Sequence, residues 1–140
     1  MIAIQGAAIT SDALLNRLRI AELASIEEFV KGQATLQDWE ALTGMNNVCE
    51  TMARGGIGHE ALPACQEAEQ ALIQAAKRYE STRVFGFTAV GLKAIRDVFG
   101  YHDLQRQSVS RGEYERWLKK TQQRIDSRAP EVVDMAEINR

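Results

Sequence analysis

The sequence predicts an all-α chain, a compact bundle of about five helices, and three observations carry that prediction. Apolar residues recur at helical spacing in five successive segments, each with its own start and stop signals. No stretch alternates apolar and polar residues as a half-buried strand would. Only two prolines occur in 140 residues, which argues against a loop-rich or β-sandwich protein. That length suits one domain able to bury a core without disulfides or a structural metal. A composition 45% apolar and 26% charged excludes disorder and collagen-like architectures. The expected organisation is a single helical domain over 1–126 and a C-terminal tail over 127–140, loosely docked or flexible.

The first helix is expected to start at the capping oxygens of Thr10, Ser11 and Asp12. It carries Leu14, Leu15, Leu18, Ala21, Ile26, Phe29 and Val30, and Gly32 ends it. Thr35 with Asp38 forms a capping box that opens a second helix through Leu36, Trp39, Leu42, Met45, Val48, Cys49 and Met52, stopped by Gly55 and Gly56. Pro63 is tolerable only in a first turn, so the third helix should start close to His59 or Glu60 and run to about Glu80. Its stripe of Leu62, Cys65, Ala68, Leu72, Ala75, Ala76 and Tyr79 is rich in alanine, which lets helix axes approach closely. Helices two and three should form a central antiparallel hairpin about Gly55–Gly58, bringing Cys49 and Cys65 together, since each lies eight residues from Ile57.

Val84, Phe85, Gly86 and Phe87 read as an apolar connector. Thr88 then caps a fourth helix bearing Leu92, Ile95, Val98, Phe99, His102 and Leu104, with Gly100 marking either a kink or a close neighbour. Ser110 with Glu113 is the clearest capping box and starts a fifth helix with Tyr114, Trp117, Leu118, Thr121 and Ile125. Pro130, Glu131, Val132, Val133 and Met135 read as an extended strap within the tail.

Charge is unevenly spread. Residues 1–70 hold 10 acidic and 4 basic residues, whereas 71–140 hold 9 acidic and 13 basic. Two halves that fold against each other partly neutralise such a difference. The overall pI of 5.7 lies far below that of a dedicated nucleic-acid domain. Two cysteines fit a reducing compartment. No run approaches the roughly 20 apolar residues of a membrane helix, and Met1 to Ala8 lacks the basic region of a secretory signal. A cytoplasmic location without membrane contact is expected.

No constellation rises to a named chemistry. Cys49, His59, Cys65 and His102 are spaced by 10, 6 and 37 residues, without the close ligand pairs of a zinc site, so no metal or cofactor is expected. Cys65 and His59 diverge by about 240° around a helix, which disfavours cysteine catalysis. Tyr101, His102, Asp103 and Arg106 invite an acid–base reading, yet consecutive helix residues point about 100° apart. Intrahelical pairing of Asp103 with Arg106 and a hydrogen-bonded His102 explain them more simply. Arg54–Glu60 is glycine-rich before a helix, where backbone amides can hold an anion, but a tight helical turn accounts for it better. A helix-turn-helix fails because the stripe from Thr35 to Arg54 runs unbroken through Gly44.

The runs Cys49-Glu-Thr-Met-Ala, Gly56-Ile-Gly-His-Glu-Ala-Leu-Pro and Tyr101-His-Asp-Leu-Gln-Arg-Gln-Ser resemble those of small uncharacterised proteins encoded on proteobacterial prophages and plasmids, over most of the chain. That family has no assigned activity. The resemblance implies a genomic setting and an accessory or host-interaction role, with no catalytic residue to carry over. The residues themselves lead to a non-enzymatic chain that binds another macromolecule, with a protein partner expected. Aromatic and arginine side chains dominate interface energetics. The expected contact residues are therefore Tyr114, Trp117, Lys120 and Arg124 on the fifth helix, with Arg96, His102 and Arg106 on the fourth. The alternative is nucleic-acid binding by the same basic helices, and a homodimer is a further form these faces allow.

Overall fold

The computed structural model describes the backbone of residues 2–127 and the side chains of residues 13–127. Five α-helices follow one another: α1 (Ile2–Val30), α2 (Leu36–Arg54), α3 (Leu62–Thr82), α4 (Ala89–Gln107) and α5 (Arg111–Asp126), with one 3-10 turn, His59–Ala61, leading into α3. No strand occurs among the described residues. The expected tail lies, from residue 128 on, outside the described residues, and so does the strap from Pro130.

Local chemistry sets most boundaries. Thr35 accepts from the Asp38 amide while the Asp38 carboxylate accepts from the Thr35 amide, and Ser110 with Glu113 repeats the arrangement at α5. Thr88 caps α4 by accepting from the Gly91 amide. Pro63 sits in the first turn of α3. Gly32, Gly56 and Gly58 all adopt positive φ, as helix ends and turns require. One start differs: α1 begins at Ile2, not near Asp12. A side-chain cap sets a helix start only where the upstream backbone leaves helical geometry, and Ile2–Ile9 continues it instead.

The second helix is the hub. It packs on α1, α3, α4 and α5, and from Leu42 to Ala53 every residue except the exposed Gly44 is buried. It runs unbroken through Gly44, which excludes a helix-turn-helix there. A helix covered on all sides has no solvated face for its polar residues, so Thr43, Asn46, Asn47, Glu50 and Thr51 are all interior. The main core joins Ile26, Phe29, Trp39, Leu42, Cys49, Cys65, Leu72, Phe85, Ile95 and Val98. A smaller one gathers Val48, Met52 and Tyr114, with Leu15, Leu18 and Trp117 against it.

Helix α3 packs most extensively on α4. The two helices come close at Gly91, where an added Cβ would lie 2.9 Å from the Ala71 Cβ. Gly100 faces open space and admits no close neighbour. Tyr79 stacks on Phe85 at 4.1 Å and Phe29 on Phe87 at 4.2 Å, clamping the connector between α3 and α4. As the spacing predicted, Cys49 and Cys65 are brought into contact, both buried as free thiols. The hydrogen bond with Cys65, together with burial, pushes the Cys49 thiol far up, which makes it a packing residue rather than a nucleophile.

Candidate functional site

The last turns of α4, with residues of α1, α2 and α5, build a buried polar chain. Arg106, 2% exposed, donates from both terminal nitrogens to the two carboxylate oxygens of Glu22 on α1, at 2.7 and 2.8 Å. Burial raises the Glu22 carboxyl above its ordinary value, with Arg106 pulling the other way. Burial also works against the Arg106 charge, yet Glu22 more than offsets it and the guanidinium stays protonated. Tyr114 of α5 lies beside Arg106, and burial pushes its phenol up to about 12. The Tyr114 hydroxyl and His102 Nε2 are 2.9 Å apart, and His102 Nδ1 is 2.7 Å from Gln105 Oε1.

The hydrogen-bond directions follow from Gln105. Its amide nitrogen donates to the backbone carbonyls of Cys49 and Ile57, at 3.1 and 2.8 Å, so its oxygen must accept from His102 Nδ1. The imidazole is therefore the Nδ1–H tautomer, and Nε2 accepts from the Tyr114 hydroxyl. Burial, helped by the Arg106 charge, lowers the His102 pKa to about 3 and keeps the ring neutral. The Arg106 Nε is buried without a hydrogen-bond partner, while the bonds from Glu22 through Arg106 and from Tyr114 through His102 to Gln105 tie α1, α2, α4 and α5 together.

The four residues of the acid–base reading diverge. Tyr101 turns toward the His59–Ala61 side and Asp103 toward Arg19 of α1 at 3.2 Å, while His102 and Arg106 point into the core. The Asp103–Arg106 pair is long at 3.9 Å and secondary to Glu22. The glycine-rich loop is a turn: the amides of Gly55, Gly56, Ile57 and Ala61 are spent on the carbonyls of Thr51, Ala53, Met52 and Gly58.

The seven expected contact residues fall into three groups. His102, Arg106 and Tyr114 are interior, at 0, 2 and 4% exposure, and do not reach a partner from this chain. Arg124 is half-buried, donating to Glu50 Oε1 at 3.1 Å and to the Thr51 hydroxyl. Arg54 meets the same Glu50 oxygen at 3.1 Å. Trp117, Lys120 and Arg96 remain at the surface. The Trp117 ring lies against Gly55, where a side chain of any size would collide with it, and the Lys120 ammonium stands 5.2 Å over that ring. Glu113, Arg116, Trp117 and Lys120 line an open cavity of about 310 Å³. The sequence reading missed Gln105 and Glu22, since neither carries a motif.

No described helix is long and apolar enough to cross a membrane, and the described residues hold no cluster of three or more metal-ligating side chains. Fold and site together define an all-helical bundle cross-braced by a buried polar chain, with an aromatic and cationic face on its last helix. Comparison of the chain with family models, curated proteins and solved structures gives no match.

Proposed function

We propose that the protein acts without catalysis, by binding another protein through the outer face of α5. The observation that carries this reading is the composition of that face. Trp117 is half-exposed under Lys120, Arg116 and Lys119 are exposed beside it, and Leu118 stands 40% exposed between them. An aromatic anchor ringed by cations and one apolar side chain is the kind of cluster from which interface energy comes. Among the described residues, helix α5 docks chiefly on α2. An accessory role in the bacterial cytoplasm, with a host or mobile-element protein as partner, as for a host-takeover or anti-defence factor, belongs to this proposal.

The same exposed cations favour nucleic acid as the second reading, and salt separates the two. The test is retention of partners by the tagged full chain from nuclease-treated host lysate, at low and high salt, beside the Arg116→Glu/Lys120→Glu and Trp117→Ala variants. A stoichiometric protein that survives high salt and is lost with both variants is the expected result. Retention unchanged in the variants overturns the α5 assignment. Nucleic acid held by an untreated sample and released by salt promotes the alternative, and a concentration-dependent mass of the chain alone identifies a homodimer.

A further inference from the structure

A second cavity, of about 210 Å³, opens over Gln105 between the Ile57–Glu60 turn and the last turns of α4. Its floor is fixed. Gln105 is held by three hydrogen bonds, and Gly58 lies against it at positive φ, where an added Cβ would come within 3.1 Å of the Gln105 side chain. Its mouth is apolar: Leu104 is 64% exposed, next to Ile57 and the half-buried Tyr101 ring. Its rim carries one carboxylate, that of Glu60. Among the described residues, neither the Glu60 carboxylate nor the Tyr101 hydroxyl has a hydrogen-bond or ion-pair partner.

We propose that this cavity receives an arginine side chain of a partner protein, with the stem along Leu104 and Ile57, the guanidinium plane on the Tyr101 ring and its charge on Glu60. Long cationic side chains lay their methylenes on apolar surface while the head seeks a carboxylate. A planar guanidinium does this better than an ammonium, because it stacks on an aromatic ring and pairs with both carboxylate oxygens at once. Its floor is held in place by the hydrogen bonds of Gln105. The source of the arginine rests on the protein-binding reading above; the cavity and its charge do not.

The test is an amide ¹H–¹⁵N titration of the full chain with N-acetyl-arginine amide, against the neutral isostere N-acetyl-citrulline amide. The expected result is saturable shifts at Gly58, Leu104 and Ser108, absent with the citrulline compound. The interaction should weaken about tenfold in Glu60→Gln, because a charge-assisted pair is lost, and weaken again in Leu104→Ser. Both substitutions are at exposed positions, so their spectra also report that the fold is intact. An equal response to citrulline, shifts centred elsewhere, or silence overturns the assignment. So does a set of shifts at the cavity on concentrating the protein alone, which makes a second copy its occupant. If the α5 face retains a partner while the cavity stays silent, only the arginine assignment falls; a responsive cavity with no partner on α5 removes the other reading instead.

Discussion

At the scale of single residues, His102 shows how a side chain with acid–base capacity becomes structural. Its ring is fully buried, its Nδ1–H is spent on Gln105, and its Nε2 accepts from Tyr114. With the pKa lowered from 6.5 to about 3, the unfolded chain binds a proton through that interval and the folded chain does not. Stability therefore rises with pH across it and falls on acidification, by about 1.4 kcal/mol per pH unit once the difference is fully developed. Glu22 works in the opposite sense, because burial raises its folded-state pKa and the folded chain takes up that proton first. The His102 contribution is isolated by comparing His102→Gln with the parent in urea unfolding at pH 6 and pH 5. The variant is expected to be less stable at both, and to lose about 1.2 kcal/mol less over that step; parallel losses would exclude a buried neutral histidine. None of this is legible at His102 itself. Its partners Gln105 and Tyr114 are near in sequence, but the burial that lowers its pKa is a product of the packed fold.

At the scale of elements, α2, α4 and α5 begin where their own first residues say they should. The Thr35–Asp38 and Ser110–Glu113 boxes and the Thr88 cap are interactions within one turn, so the sequence contains them whole. Packing is different, as two glycines of α4 illustrate. Gly100 drew attention as an interior helical glycine, yet its Cβ position is open space, and Gly100→Ala should stabilise by about 0.5–1 kcal/mol through helix propensity. Gly91 attracted none, yet it is the point where α4 touches α3 at Ala71. Gly91→Ala should destabilise by about 1–3 kcal/mol, because two packed helices must separate to admit one methyl group. Chemical denaturation of the two variants side by side checks both signs, and a gain at Gly91 would mean that the α3–α4 contact is looser than its geometry.

At the scale of the whole molecule, ion pairs join the acidic and basic halves of the chain. Glu22 with Arg106, Arg19 with Asp103 and Glu50 with Arg124 each span more than 70 residues. The first is the most enclosed and brings a cost if broken, since one charge is left buried without its partner. Arg106→Met should lose about 3–5 kcal/mol in thermal or chemical unfolding. Glu22→Leu combined with Arg106→Met should recover more than half of that loss, because an apolar pair avoids desolvating either charge. A double variant as unstable as the single one would assign the cost to the Tyr114–His102 chain instead of the ion pair.

The sequence by itself determined the helical class, the order of the five helices, most of their boundaries and the approach of Cys49 to Cys65. Each follows from period, cap or turn chemistry that acts over a few residues, or from the symmetry of a hairpin about Ile57. Only the tertiary structure decided which polar residues are inside. A full-length helical stripe shows which face of α2 is apolar, but not that α1, α3, α4 and α5 together cover every face and carry Asn46, Glu50 and Thr51 into the core. The same enclosure removed His102, Arg106 and Tyr114 from the surface and left Trp117, Lys120, Glu60 and Leu104 to meet solvent. Whether a polar side chain is buried depends on a partner supplied from elsewhere in the chain, and no local pattern encodes that partner.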